Sequence, residues 1–146
     1  MGEKNKLYAR DIMTEYVVTA KKDTAVRKLA HLMLFDRISG VPILDNEGRL
    51  CGLITTTDLF NVLGELVLDH DFGSYAELFK DKVITVGDVM TKNVVTFSPE
   101  TPVEEIIRTS VYKNIHTFPI VEHDKVVGVI GKRDILNVGF SVISRL

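Results

Sequence analysis

Two aspartates stand in matching settings, each six residues after a glycine. In Gly52-Leu-Ile-Thr55-Thr-Thr57-Asp58 and Gly128-Val-Ile-Gly131-Lys132-Arg133-Asp134 the carboxylate follows an apolar run and falls where a helix begins. A carboxylate in the first turn of a helix can accept both hydroxyls of a ribose diol as charge-assisted hydrogen bonds. The same helix start offers unpaired N–H groups and the positive end of the helix dipole to a phosphate. Thr55 adds a hydroxyl for phosphate or ribose. In the second setting Gly131 takes its place, and Lys132 and Arg133 can meet phosphate charge instead, Arg bidentately. Helix capping is the competing reading, with Thr as the capping residue and Asp near the positive dipole end. It accounts for Asp58 about as well as binding does. It accounts for Asp134 less well, because Gly131 is a poorer cap and the aspartate recurs without the hydroxyl.

These settings belong to a longer internal repeat. Asp11-Ile-Met-Thr14 returns as Asp88-Val-Met-Thr91, Val17-Val-Thr19 as Val94-Val-Thr96, Thr24-x-Val26 as Thr101-x-Val103, Ile38 as Ile115 and Pro42-Ile43 as Pro119-Ile120, each 77 residues on. After one deletion, opposite Asn46-Glu47-Gly48, the spacing is 76, and Gly52, Ile54, Asp58, Asn61 and Val62 match Gly128, Ile130, Asp134, Asn137 and Val138. Shared residues in shared order imply one local fold used twice.

The elements that must position the aspartates read alike in both copies. Val17-Val18-Thr19 and Val94-Val95-Thr96-Phe97 are short β-branched strands. A helix of about three turns follows. In the second copy Thr101-Pro102-Val103-Glu104 supplies a capping-box start, and in the first Val26, Leu29, Ala30, Leu32 and Met33 give one buried face. Gly40–Leu44 and Thr117–Val121 form the next strand, Asp45–Gly48 and Glu122–Asp124 tight turns, and Leu50–Ile54 and Val126–Ile130 the strand that leads to Asp58 or Asp134 and a second helix. Each copy is therefore β-α-β-β-α. A unit of about 50 residues buries too little surface to be comfortably stable alone, so the copies must dock. The expected organisation is a first repeat over 8–63, a linker over 64–83 and a second repeat over 84–146. Within the linker, Tyr75–Phe79 reads as a short helical piece. Asp69-His70-Asp71 has metal-ligand residue types, but consecutive residues point different ways and no partner motif supports them, so it reads as a solvated loop.

Composition narrows the function classes. The chain has 146 residues with 18 Lys+Arg against 20 Asp+Glu, a formal charge of −2, and no run of basic residues. It lacks the electrostatic footprint of a nucleic-acid or acidic-membrane binder. No apolar stretch approaches the ~18 residues that span a bilayer, and the charged start leads into no signal-peptide core. The expectation is a cytoplasmic protein. The single cysteine, Cys51, cannot form an internal disulfide or a thiolate-rich zinc site and reads as a buried strand residue. No nucleophile with a base and orienter and no phosphate-cradling glycine loop is present, so no enzymatic activity and no catalytic cofactor or metal are expected.

Taken with their order and duplication, Asp11–Thr14 and Asp88–Thr91, Gly40-Val-Pro-Ile43 and Thr117-Phe-Pro-Ile120, and the two glycine-to-aspartate motifs make each copy resemble the cystathionine β-synthase (CBS) domain. The chain is similar to a tandem CBS pair, or Bateman module, over almost its whole length. The resemblance implies an α/β fold of two βαββα repeats packed as a pseudo-twofold pair. It implies a regulatory module that binds adenine nucleotides, AMP foremost, then ADP or ATP and sometimes S-adenosylmethionine, in two clefts between the repeats. It also implies a homodimer and an effector protein controlled by the ligand. Carried over residue by residue, one cleft would use Asp134, Arg133, Lys132, Val129 and His116 with Thr14, Val18, Ile38 and Ser39. The other would use Asp58, Thr57, Thr55, Leu53 and Ser39 with Thr91, Val95, Ile115 and His116. Val18, Val95, Ile38 and Ile115 are core residues first and pocket walls second. His116 replaces Ser39 in the repeat; if it meets phosphate, its protonation tightens binding at acid pH.

The second helices are more apolar than one buried stripe requires. Leu59, Phe60, Val62, Leu63, Leu66, Val67 and Leu68, and Ile135, Leu136, Val138, Phe140, Val142, Ile143 and Leu146, suggest a subunit interface. The expected function is nucleotide sensing by a stand-alone module that signals to a partner by conformational change. The alternatives are an S-adenosylmethionine sensor and a ligand-free interaction scaffold, the latter supported by Gly131.

Overall fold

The middle strand of each repeat carries a proline, and that proline sets how much sheet can form beside it. The computed structural model describes residues 6–69 and 84–143, which form two compact units: residues 18–93, and residues 1–17 together with 94–146. In the first, β1 (Ala20–Lys21) runs parallel to β2 (Gly40–Leu44), which pairs antiparallel with β3 (Leu50–Thr55). Ala20 pairs with Ile43 and Lys21 with Leu44. Extending β1 backward would set Thr19 against Pro42, which has no N–H to give. The strand expected over Val17-Val18-Thr19 therefore does not form there. In the second unit β4 (Thr117–Glu122) and β5 (Lys125–Gly131) make the hairpin. The strand expected over Val94–Phe97 is reduced to a single parallel bridge from Phe97 to Ile120, one residue past Pro119.

The helices after these strands start differently from the sequence expectation. α1 (Ala9–Ile12), α2 (Val26–Asp36), α3 (Thr56–Asp69), α4 (Val86–Val89), α5 (Val103–Lys113) and α6 (Lys132–Ile143) complete the described elements. The capping box expected at Thr101–Glu104 is absent: Pro102 precedes α5 and no side chain caps it. The Val103 amide donates instead to the Leu7 carbonyl at 2.9 Å, and the Ala9 amide returns to the Thr101 carbonyl at 2.8 Å. The first repeat repeats the arrangement, with the Val26 amide on Ile84 and the Val86 amide on Thr24, both at 2.8 Å. A backbone partner makes a capping side chain redundant. Glu104 turns along the helix to Arg108 at 2.7 Å, which holds its carboxyl below the usual range. Both groups face solvent, so the pair adds little stability.

Each unit is thus completed by the segment that opens the other repeat. α1 closes the core of Ala9, Ile106, Phe118, Ile120 and Ile130, and the Phe97 ring lies tilted against Phe118 at 5.2 Å between centroids. α4 closes the core of Val26, Leu29, Met33, Val41, Ile43, Ile54 and Val86. Cys51 packs against it, free and half-buried. Leu32, expected on the buried face of α2, is 39% exposed, because the stripe actually buried is the narrower Val26, Leu29, Met33 series. Hairpin turns fall where expected. Asp45 Oδ1 accepts the Arg49 and Glu47 amides at 2.9 Å each, and these bonds, Arg49's first, hold its carboxyl below the usual range. His123 and Asp124 both take positive φ, 51° and 64°, the left-handed pair that suits a two-residue hairpin.

α3 runs past Gly64 to Asp69, into the segment expected as linker. Val62 is buried, whereas Phe60, Leu63, Val67 and Leu68 on α3 and Leu136 and Phe140 on α6 are exposed. The readings made for His70, Asp71, Tyr75–Phe79 and Leu146, and for the side chains of Asp69, Val142 and Ile143, lie outside the described residues. Among the described residues no helix is long and apolar enough to cross a membrane.

Candidate functional site

Asp58 and Asp134 each stand at the third position of a helix that leaves the C-terminal end of a hairpin strand, α3 after β3 and α6 after β5. Each turns one oxygen back to the amide that precedes the helix. Asp58 Oδ2 accepts the Thr55 N–H at 2.8 Å, and Asp134 Oδ2 accepts the Gly131 N–H at 2.8 Å. In the first repeat the box is reciprocal: the Thr55 hydroxyl donates to Asp58 Oδ2 at 3.1 Å and accepts from the Asp58 amide at 3.3 Å. Capping is therefore real at both aspartates, and Gly131 does not abolish it, since the cap bond needs only a backbone N–H. Capping uses one oxygen of each carboxylate and leaves the other edge for chemistry.

A threonine from the neighbouring segment is brought alongside each strand. The Thr91 amide and carbonyl exchange bonds with Leu53 at 2.9 Å each. Thr14 does the same with Val129 at 2.9 and 3.0 Å. Thr91 Oγ1 then donates to Asp58, 3.2 Å from Oδ1 and 3.4 Å from Oδ2. The unit of residues 18–93 thus gathers Leu53, Thr55, Asp58 and Thr91, with Ser39 just before the Gly40–Thr55 pair and its carbonyl accepting the Thr56 amide at 3.0 Å. Thr57 is exposed on the first turn of α3.

The other unit gathers Thr14, Val129, Gly131 and Asp134, with Lys132 and Arg133 exposed beside the aspartate. His116 lies just before the Thr117–Gly131 pair. Sequence reasoning missed its neighbour: the buried Ser110 hydroxyl donates to the Ile115 carbonyl at 2.5 Å and lies 3.3 Å from His116 Nδ1. Ser110 sits six residues before the histidine, a helix-to-strand distance that no local pattern reveals. Val18, Ile38 and Ser39, grouped above with Asp134, belong to the unit of residues 18–93; Val95, Ile115 and His116, grouped with Asp58, belong to the other. Ile38 packs on the first core, and Val95 and Ile115 on the second. Among the described residues no group of three or more His, Cys, Asp or Glu is placed to hold a metal.

A family model described as the CBS domain matches the chain twice, over residues 9–65 and 86–140. Homoserine O-acetyltransferase of Methanohalobium evestigatum is 28% identical over 129 residues, 88% of this chain and 23% of that protein. The chain thus spans about a quarter of the length of such curated relatives. The crystal structure of the CBS domain pair of protein MJ0100, in complex with 5′-methylthioadenosine and S-adenosyl-L-methionine, superposes with a TM-score of 0.74 at 24% identity, covering 94% of this chain and 98% of that one. CBSX2 in complex with AMP superposes with a TM-score of 0.75 at 21% identity, covering 93% and 98%.

Proposed function

Because the chain belongs to the CBS domain family, we propose that it is a cytoplasmic, non-enzymatic sensor of an adenine nucleotide, held at the helix-opening aspartates and reported to a partner protein by conformational change. The observation that carries this reading is Asp134, whose cap bond occupies only Oδ2. The ligands of the two structural neighbours, AMP on one and S-adenosylmethionine and methylthioadenosine on the other, share an adenosine with a ribose diol. That diol suits an anchored carboxylate with one free edge. Lys132 and Arg133 beside Asp134 favour a phosphate tail over a sulfonium cation, which selects AMP and its di- and triphosphate over S-adenosylmethionine. A bound nucleotide acts on a partner only through its differential affinity for two arrangements of the protein.

Calorimetry with AMP, ADP, ATP and S-adenosylmethionine tests it. AMP is expected to bind saturably and, at 100 times its Kd, to stabilise the protein by about 2.7 kcal/mol. Asp134→Ala should weaken binding at this site by about 10- to 100-fold, the worth of a charge-assisted bond or two. Silent titrations and unshifted melting with all four would reject the reading in favour of a ligand-free scaffold. We further propose a homodimer, on the exposed Phe60, Leu63, Val67 and Leu68 of α3 in one unit and, taken separately, Leu136 and Phe140 of α6 in the other, since large apolar side chains gathered on a helix rarely stay uncovered. Sedimentation at micromolar concentration should give the dimer mass; a monomer alone rejects it.

A further inference from the structure

The two aspartate sites are duplicated in sequence but unequal in structure, and the inequality lies in two hydroxyls, those of Thr55 and Thr91, that reach Asp58. Asp58 receives the Thr55 amide, the Thr55 hydroxyl and the bifurcated Thr91 hydroxyl, the last lying across both carboxylate oxygens at 3.2 and 3.4 Å. That is the edge a ribose diol must use. Asp134 receives the Gly131 amide, and among the described residues no hydroxyl donates to it. Thr14, at the position that corresponds to Thr91, is anchored to Val129 by the same pair of backbone bonds but does not donate to Asp134.

Resting on the nucleotide reading above, we propose that Thr91 is a built-in competitor that stands in for a ligand hydroxyl on Asp58, so that Asp134 is the high-affinity site and Asp58 a second site about tenfold weaker. The Thr91 backbone is fixed by its two 2.9 Å bonds to Leu53, so the hydroxyl leaves only by rotation of χ1. Thr91 is exposed, and rotation into water therefore sacrifices one hydrogen bond to a charged group and little else. Such a bond corresponds to roughly a tenfold change in affinity. Two sites a decade apart would let the module respond over a wider range of nucleotide concentration than two equal ones.

The test is calorimetric titration of the full chain with AMP, and in parallel with S-adenosylmethionine, for the native protein and for Asp134→Asn, Asp58→Asn, Thr91→Val and Thr91→Ser. The native protein should show two classes of site about tenfold apart. Asp134→Asn should remove the tighter class and Asp58→Asn the weaker. Thr91→Val, which keeps the side-chain shape and removes the hydroxyl, should tighten the weaker class about tenfold, whereas Thr91→Ser should restore native behaviour. Melting curves establish that each variant is folded. Equal sites in the native protein, loss of the tighter class in Asp58→Asn, or a weaker class that ignores Thr91→Val would overturn the competitor while leaving nucleotide sensing intact. Failure of both ligands to bind the native protein overturns nucleotide sensing, and the competitor with it.

Discussion

Phe118→Ala is expected to lower stability by about 3–5 kcal/mol, the range for truncating a fully buried aromatic. Phe118 is wholly inaccessible and heads the large buried side chains, with Ala9, Ile106, Ile120 and Ile130 around it and the Phe97 ring at 5.2 Å. Total stabilities run about 5–15 kcal/mol, so the variant should melt on the order of 10 °C or more below the native protein. The equivalent residue in the first repeat is Val41, also wholly buried. Val41→Ala removes two methyl groups rather than a ring and should cost about 2 kcal/mol. The difference follows from how the repeats have diverged. Where the second has Phe97, Ser110 and Phe118, the first has Ala20, Met33 and Val41: one core is filled more from its strands and the other more from its helix. Thermal melts of the two variants check this; a Phe118→Ala loss no larger than that of Val41→Ala would contradict it.

Much of this architecture is legible in the residues. The repeat fixes the element order, β-branched runs bounded by turn residues mark the hairpin strands, and the paired aspartates mark helix starts. What the residues do not reveal is long-range pairing. Pro42 and Pro119 are visible as prolines, but only the parallel register, with Ala20 on Ile43 and Phe97 on Ile120, shows that they cut short the first strand of each repeat. The Thr101 capping box has the right local chemistry and is overridden by the Leu7 carbonyl, from a segment more than ninety residues away. Likewise Asp11 and Asp88, read in sequence as part of a repeated motif, prove to be local caps, accepting the Tyr8 amide at 2.8 Å and the Thr85 amide at 3.1 Å. At the aspartate sites, the sequence assigns Thr91 alongside Asp58 and Thr14 alongside Asp134. It contains no sign that only Thr91 donates to its carboxylate, because that depends on a rotamer and not on a residue type.

Gly128→Val should destabilise the protein by about 3 kcal/mol, the upper part of the range for overfilling a packed site, and Met13→Ala in the same chain should recover a substantial part. A methyl group on Gly128 would lie 2.5 Å from Met13 Sδ, 2.9 Å from its Cγ and 3.1 Å from its Cβ. The first two atoms can swing aside; the Cβ is carried by the backbone and cannot. Moving it means moving Met13 itself, and the next residue is Thr14, whose amide and carbonyl pair with Val129. The substitution should therefore detach the Thr14 segment from β5, and faster hydrogen exchange at the Thr14 and Val129 amides would report it. Gly52 is a sharper comparison than a distant surface control. Its methyl would meet Met90 through Sδ, Cγ and Cε, all beyond the Cβ, so the thioether can yield by changing rotamer. Gly52→Val should cost less than Gly128→Val although its nearest approach is closer, and Thr91 should keep its pairing with Leu53. A double-mutant cycle between positions 13 and 128 should show favourable coupling of about 1–2 kcal/mol. Zero coupling, or a Gly52 variant less stable than the Gly128 variant, would mean that the methionines yield equally and that the backbone beneath them is not what the glycines protect.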